Sequence, residues 1–157
     1  MIKTLTALCA ILFAVGVLPV SADSKKPGDA GEFKDLIRQY YEGWSSGNTD
    51  NPAKLYAKDA NLVFFDVAPL KYNGWEEYKQ GVQKNFYDNM TSAALTAKDD
   101  LAVTRHGNVA WTTVTGHLSV KMKDGKALET DIRHTAIWEK RGGKWLIVHD
   151  HVSVPMQ

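Results

Sequence analysis

The chain has 157 residues, with 19 lysines and arginines against 18 aspartates and glutamates. This balance, without a basic run, lacks the electrostatic footprint of a nucleic-acid-binding protein. The length is enough for one domain with a sizeable core. The only cysteine, Cys9, lies in the N-terminal segment, so the remainder has no thiol for a disulfide, a nucleophile or a metal ligand.

The N-terminal segment has the pattern of an export signal. Lys3 precedes an apolar run over residues 5–20, and Val20-Ser21-Ala22 has the small residues of a cleavage site. We expect residues 1–22 to be a signal peptide, residues 23–31 a flexible lead-in and residues 32–157 the folded domain. The mature protein is then expected in the periplasm or the medium, without membrane association.

Three helical segments are predicted before the main strands. Large apolar side chains recur at helical spacing over residues 32–46, and Gly47 ends the pattern. Asn51-Pro52 predicts the cap and first turn of a short second helix, which ends near Ala57. A strand is predicted over residues 62–66, and Asn73-Gly74 precedes a third amphipathic helix.

From Thr91 onward the sequence predicts four strands. Turn signals over residues 106–109, 123–126 and 141–144 separate them as hairpins. Helices followed by a long meander predict an α+β domain, with the helices packed on one face of a curved antiparallel sheet.

Alternation of side chains assigns the faces of this sheet. In the last three strands the even-numbered positions form the more apolar set and are predicted to face the helices. Asp150 then points inward, whereas Trp145, His149 and His151 point outward. His134 is the other strongly polar residue of the inner face. It would lie directly opposite Asp150 if the last hairpin has a loop of odd length.

The last hairpin, WEKRGGKWLIVHDHVS, resembles that of the SnoaL-like proteins and of the calcium/calmodulin-dependent protein kinase II association domain. Its pattern W-x-x-R-x-G-K-W-x-x-V-H-x-H-x-S runs from Trp138 to Ser153. The stretches IRQYYEGWSSGN, LYAKDANLVFFD and NGWEEYKQ resemble earlier elements of the same nuclear transport factor 2-like superfamily. The resemblance implies a cone-shaped α+β fold, with a pocket between sheet and helices and frequent dimerisation through the outer sheet face.

The same resemblance suggests two site residues. Ketosteroid isomerases of this superfamily use an aspartate base and an oxyanion hole of a tyrosine and a protonated aspartic acid. Tyr40 falls where that tyrosine lies, and Asp66 falls near the base after a two-residue shift. The second oxyanion-hole acid of those enzymes should lie near His134 or Thr135, and no carboxylic acid is there. The arginines of the kinase association pocket also have no counterpart, because Gly116, Ala136 and Val152 stand at those positions.

The pair His149 and His151 has two interpretations. Two imidazoles on one strand face form half of a zinc or copper site, and His117 or Asp131 would have to complete it. Alternatively, the pair belongs to a dimer surface, because aromatic side chains are enriched at interfaces. We favour a homodimer and no metal. The predicted dimer surface is Trp111, Arg133, Trp145, His149 and His151.

Within the pocket, His134 and Asp150 are the first candidates for chemistry. A carboxylate beside an imidazole fixes its tautomer and increases its basicity, which suits a general base. Asp66 and Tyr40 could supply a second acid–base group and a hydrogen-bond donor. The alternative is a buried pair that serves only structure. The predicted ligand contacts are Trp44, Tyr72, Thr112 and Trp138.

Three functions remain open from the sequence. The first is an exported protein that binds a small apolar or aromatic molecule in its pocket. The second is a cofactor-free isomerase, cyclase or dehydratase that uses His134, Asp150, Asp66 and Tyr40. The third is an assembly module that works through its outer sheet face. The sequence has no phosphate-binding glycine loop or nucleophile motif, and no cofactor is expected.

Overall fold

The computed structural model describes residues 27–156, with side chains from residue 30 onward. The predicted signal peptide lies outside the described residues, as does the first part of the predicted lead-in. The elements in chain order are α1 (Pro27–Ser45), a 3₁₀ helix (Pro52–Leu55), β1 (Val63–Phe65), β2 (Tyr72–Asn73), α2 (Gly74–Asn85), a second 3₁₀ helix (Tyr87–Asn89), β3 (Met90–Ala97), β4 (Ala102–His106), β5 (Val109–Met122), β6 (Ala127–Arg141) and β7 (Lys144–Ser153).

Helix α1 begins at Pro27, earlier than the predicted Glu32, so the second half of the predicted flexible lead-in is helical. A proline fits the first turn of a helix, where its missing N–H has no helical partner. The predicted apolar stripe is buried, from Phe33 at one end to Trp44 at the other. Gly47, at φ 71°, adopts the left-handed conformation that commonly ends helices.

One curved sheet packs against these helices, with strand order β2-β1-β7-β6-β5-β3 and β4 also paired with β5. Strand β1 runs parallel to β7, with Phe64 beside Asp150, so the sheet is mixed rather than wholly antiparallel. Both β3 and β4 pair with β5, because residues 98–101 interrupt the single strand predicted there. The α+β fold with a curved sheet is otherwise confirmed.

The predicted inner face is confirmed through the middle of β5 and β6. The buried side chains there all occupy even positions: Ala110, Thr112, Val114, Val120, Ile132, His134, Ala136 and Trp138. The even residue Leu128 departs from this set and is 51% exposed, because it lies near the start of β6. The core therefore fills the concave side of the sheet beneath α1 and α2.

The last strand departs from simple alternation because it contains a bulge. Arg141 pairs with Lys144, which leaves a two-residue turn rather than a loop of odd length. Further along β7 the register shifts by one residue, and Val148 is left without a partner between Ile147 and His149. A bulge of this kind inserts one extra residue and reverses the inward parity on its two sides.

The bulge corrects the predicted position of Trp145. This residue precedes the bulge and faces the core, where it is 4% exposed and its ring lies 5.1 Å from that of Phe33. Placing Trp145 on the outer dimer surface was therefore wrong. Asp150 follows the bulge and faces inward as predicted.

Candidate functional site

Asp150 lies at the centre of a buried polar cluster. Its side chain is fully buried, and its Oδ2 accepts hydrogen bonds from the hydroxyls of Tyr40 at 3.1 Å and Tyr56 at 2.5 Å. Tyr56 in turn accepts a hydrogen bond of 3.1 Å from Nε1 of Trp44. Burial raises the pKa of both tyrosines well above its usual value, and the nearby Asp150 adds to the shift. Both hydroxyls therefore remain protonated donors.

His134 contacts Asp150 as predicted, but through a different register. The Cα partner of Asp150 is Ala136, so the two side chains meet diagonally across β6 and β7. His134 Nε2 lies 2.9 Å from Asp150 Oδ1, and both side chains are fully buried. The ring N–H is not aligned for a hydrogen bond at this contact, and within residues 27–156 neither ring nitrogen has an aligned partner. The Tyr40 ring stacks on the imidazole at 4.2 Å.

Asp66 lies just beyond the end of β1. Its Oδ1 accepts a hydrogen bond of 2.7 Å from the Val67 backbone N–H. Its Oδ2 is 3.4 Å from the Tyr78 hydroxyl, a long contact. Burial, together with a smaller contribution from the negative charge of Asp150, raises the pKa of Asp66 to about 6. This carboxyl group therefore titrates near neutral pH, where a proton can be gained or lost.

A cavity of about 80 Å³ lies between the helices and the sheet beside Asp66. Its other lining residues are Tyr40, Trp44, Val67, Tyr78, Val82, Phe86, Tyr87, Met90, Ala93, Leu95, Leu118, Val120, Ile132 and Val152. Asp66 is the one carboxylic acid among these described residues, and the set contains no lysine, arginine or histidine. The cavity therefore suits an uncharged, largely apolar molecule with one polar group directed at Asp66.

The structure separates the four predicted catalytic residues into two groups. Asp66 and Tyr40 line the cavity. His134 and Asp150 lie behind the cavity wall, because Tyr40 stands in front of both. The Tyr40 ring stacks on the imidazole, and the Tyr40 hydroxyl donates a hydrogen bond to the Asp150 carboxylate. The catalytic role of His134 and Asp150 stays a prediction that this geometry does not favour, since neither side chain reaches the cavity.

The predicted ligand contacts also divide. Trp44 lines the cavity. Thr112 and Trp138 are fully buried elsewhere, where Trp138 Nε1 donates a hydrogen bond of 3.0 Å to Thr112 Oγ1. Tyr72 packs against Tyr78 at 5.1 Å and is absent from the described lining. Alternation identifies residues that face inward, but it does not separate those that fill the core from those that line its cavity.

Two functional neighbours were not identified from the sequence. Tyr78 contacts Asp66, and Tyr56 makes the shortest hydrogen bond to Asp150. Tyr78 belongs to the inward stripe of α2, which was a usable signal. The sequence around Tyr56 has no corresponding signal, because its partner is 94 residues away.

The paired histidines of β7 lie on the opposite side of the strand from Asp150. His149 Nδ1 lies 2.8 Å from the Val63 carbonyl oxygen, and both imidazoles pack nearly perpendicular to the Phe65 ring. The suggested third ligands are engaged elsewhere, since His117 contacts Asp131 at 3.0 Å. Within the described part of the chain, no group of three or more His, Cys, Asp or Glu side chains could hold a metal ion.

No helix within residues 27–156 combines the length and apolar character needed to cross a bilayer.

A sequence model of the SnoaL-like domain matches residues 34–157. The chain belongs to the SnoaL-like domain family. Among curated proteins, none matches this chain. The family assignment agrees with the hairpin pattern and with the curved sheet around two helices.

Solved structures of nuclear transport factor 2-like proteins share this fold. A superfamily protein from Salmonella enterica serovar Typhimurium is 22% identical, with a TM-score of 0.70 over 81% of this chain and 91% of that one. A candidate calcium/calmodulin-dependent protein kinase II association domain from Xanthomonas campestris is 22% identical, with a TM-score of 0.69 over 85% and 94%. A candidate ketosteroid isomerase from Shewanella frigidimarina is 22% identical, with a TM-score of 0.62 over 76% and 92%.

Proposed function

We propose that this SnoaL-like protein binds a small, uncharged and largely apolar molecule in the cavity beside Asp66. The observation that carries the proposal is the composition of the lining, which is mostly apolar and has a single carboxylic acid. Ligand pockets commonly combine apolar walls with a few polar groups that orient the ligand. A carboxylate without a nearby cation in the lining disfavours anionic ligands, because like charges repel.

Binding can be tested with butanone, a small uncharged ketone. We expect titration of the protein with butanone to shift backbone amide NMR signals of the cavity-lining residues. Ala93→Phe should abolish these shifts, because Ala93 lines the cavity and the added ring fills it. Ala94→Phe is the matched control, since Ala94 is the next residue of β3 and is exposed. Butanone shifts that persist in a folded Ala93→Phe variant would exclude this cavity.

A second candidate function is proton transfer at carbon by Asp66. The observation that favours it is the raised pKa of Asp66, about 6, beside the Tyr78 hydroxyl. The carboxylate could remove a proton next to a carbonyl group, while the Tyr78 hydroxyl, which has only a long contact with Asp66, donates a hydrogen bond to the developing oxyanion. This chemistry agrees with the isomerase activity suggested for the Shewanella frigidimarina relative.

Hydrogen exchange tests the proton transfer directly. Proton NMR in deuterated water follows exchange of the butanone protons next to the carbonyl. The base is the ionised form of Asp66, so the catalysed rate should rise with pH through about 6 and then level off. Asp66→Asn should reduce the catalysed rate to that of buffer, and the exposed Asp124→Asn should not. An unchanged rate in Asp66→Asn would exclude this role.

We propose further that the protein is a homodimer through the outer face of its sheet. Trp145 is no longer part of this surface, which leaves Trp111, Arg133, His149 and His151. Trp111 is 40% exposed and stacks on His106 at 5.4 Å. Light scattering should give twice the chain mass for the wild type and a lower mass for Trp111→Asp. Leu128→Asp, near the start of β6, is the control. A monomeric wild type would end this proposal.

Export to the periplasm or the medium is proposed from the N-terminal sequence alone. We expect the mature protein to begin near Asp23 and to appear outside the cytoplasm when the full chain is expressed in a bacterium. Cell fractionation and N-terminal sequencing test both points. A full-length protein that remains in the cytoplasm would contradict them.

A further inference from the structure

The cavity beside Asp66 is small compared with common ligands. Its volume is about 80 Å³, whereas an engineered cavity that binds benzene in a protein core measures about 150 Å³. An aromatic ligand therefore does not fit inside without displacing side chains. A larger ligand would have to place only one end in the cavity and the remainder outside.

A surface trough adjoins the cavity at Asp66. The trough measures about 700 Å³ and lies between residues 66–70 and the end of β7. Asp66, Val67 and Val152 line both the trough and the cavity. The carboxyl-bearing residue thus stands at the boundary of the two spaces, so a group held against Asp66 is within reach of either one.

The trough is mainly apolar and strongly exposed. Leu70 is 91% exposed and Val154 is 42% exposed. The polar members beside Asp66 are Ser153 and His151, and His151 stands where the trough borders the proposed dimer surface. No lysine or arginine is among the described residues that line the trough. Exposed apolar side chains that surround a functional group commonly mark a binding surface.

A second depression adjoins the cavity at the start of β3, through Tyr87, Met90 and Ala93. It does not include Asp66, and its remaining lining residues are mainly serines and a threonine. The Tyr87 hydroxyl donates a hydrogen bond of 2.5 Å to the Trp44 carbonyl, which holds this ring in the dividing wall. An apolar ligand that contacts Asp66 is therefore better accommodated by the trough.

We infer that the trough formed by residues 66–70 and 151–154 is the outer half of the binding site, and that it holds the apolar body of an elongated, uncharged carbonyl compound whose carbonyl end enters the cavity beside Asp66. This inference rests on the proposed function and specifies its ligand class. Leu70 and Val154 contact the body of the ligand and determine the preference for size. The cavity itself accepts only a short group such as a methyl ketone.

Benzylacetone, a methyl ketone with a phenyl tail, tests this division of the site. We expect it to bind about tenfold more tightly than butanone, because the trough buries the phenyl ring. Leu70→Asp should remove about this tenfold advantage and leave butanone affinity within about twofold. Leu128→Asp is the matched control, because Leu128 is also exposed but lies near the start of β6. Affinities come from NMR titration, with light scattering to check the assembly state.

The possible results separate the two proposals. Equal affinities of wild type and Leu70→Asp for benzylacetone would overturn the trough, as would an equal loss for both ketones. If Ser92→Asp weakened benzylacetone binding and Leu70→Asp did not, the phenyl tail would lie in the second depression. That result would also overturn the trough. Failure of butanone to bind the wild-type cavity would instead contradict the proposed function, whatever benzylacetone does. Leu70 is almost wholly exposed, so its replacement is not expected to impair folding.

Discussion

Two inner carboxyl groups lie in contrasting surroundings, Asp150 within β7 and Asp66 just beyond the end of the neighbouring parallel strand β1. Asp150 stands within β7, directly beside Phe64 of β1, and two tyrosine hydroxyls and an imidazole surround it. Asp66 follows two residues after Phe64, beyond the end of β1, and has one short hydrogen bond, from the Val67 backbone N–H. The first carboxyl group is enclosed by its own protein, whereas the second has room for another molecule.

This contrast shows that a conspicuous motif and a reactive group can be different things. The motif around Asp150 belongs to the last hairpin, and the Oδ2 atom of Asp150 accepts its hydrogen bonds from two tyrosines of the core. Asp66 is unremarkable in sequence, but its position at the boundary of the cavity raises its pKa to about 6. Burial without full hydrogen bonding leaves a carboxyl group able to exchange protons near neutral pH.

Removing Asp150 should have the largest effect on stability. Asp150→Ala leaves the hydroxyls of Tyr40 and Tyr56 without their acceptor and His134 without its neighbour, all in the core. The free energy of unfolding should fall by about 3 kcal/mol or more, because buried polar groups without partners are costly. Urea denaturation measures this change. A loss below about 1 kcal/mol would show that the cluster contributes little to the fold.

The position of Asp150 was largely predictable, but its exact partners were not. Alternation correctly directed both Asp150 and His134 inward. The predicted direct pairing required an odd loop, whereas the structure combines a two-residue turn with a one-residue bulge at Val148. Because of these two features together, the even-numbered residues of β7 face inward after the bulge, as predicted. Before it the parity is reversed, which is why Trp145 was assigned to the wrong face.

Asp66 was predicted through a family resemblance rather than through any local pattern. Its sequence neighbours place it at the end of a strand, and nothing there encodes the depth of its burial. The cavity arises from α1, α2 and four strands, β3, β5, β6 and β7, which are distant in sequence. Packing between distant elements sets this volume, so the sequence predicted a pocket but not its size or its outer trough.

Removing the Tyr56 hydroxyl should have an intermediate effect. Tyr56→Phe keeps the ring packing but removes the shortest hydrogen bond to Asp150 and the acceptor of Trp44 Nε1. We expect a loss of about 1–3 kcal/mol, since the carboxylate retains Tyr40. Tyr72→Phe is the comparison, because its hydroxyl donates to the Ala68 carbonyl in a partly buried position. If urea denaturation gave the same loss of unfolding free energy for both variants, the hydrogen bonds around Asp150 would stabilise the fold no more than the hydrogen bond of Tyr72 does.

Neutralising Asp66 should have the smallest effect on stability. Unlike the two changes above, it should raise the free energy of unfolding at neutral pH rather than lower it. The folded-state pKa of about 6 exceeds the ordinary value of 3.8, so the folded protein binds this proton more tightly than the unfolded chain does. Its contribution to stability is therefore fully present below about pH 4 and is lost as the pH rises through about 6.

Asp66→Asn removes this titration. We expect the variant to be more stable than the wild type by about 1 kcal/mol near pH 8, less than a fully buried group would give, because Asp66 is only half-buried. Near pH 4 the difference should vanish. Thermal unfolding across this range measures the effect, with the exposed Asp124→Asn as control. A variant that is less stable near pH 8 would mean that the Asp66 carboxylate stabilises the fold as Asp150 does, and the contrast between the two carboxyl groups would no longer hold.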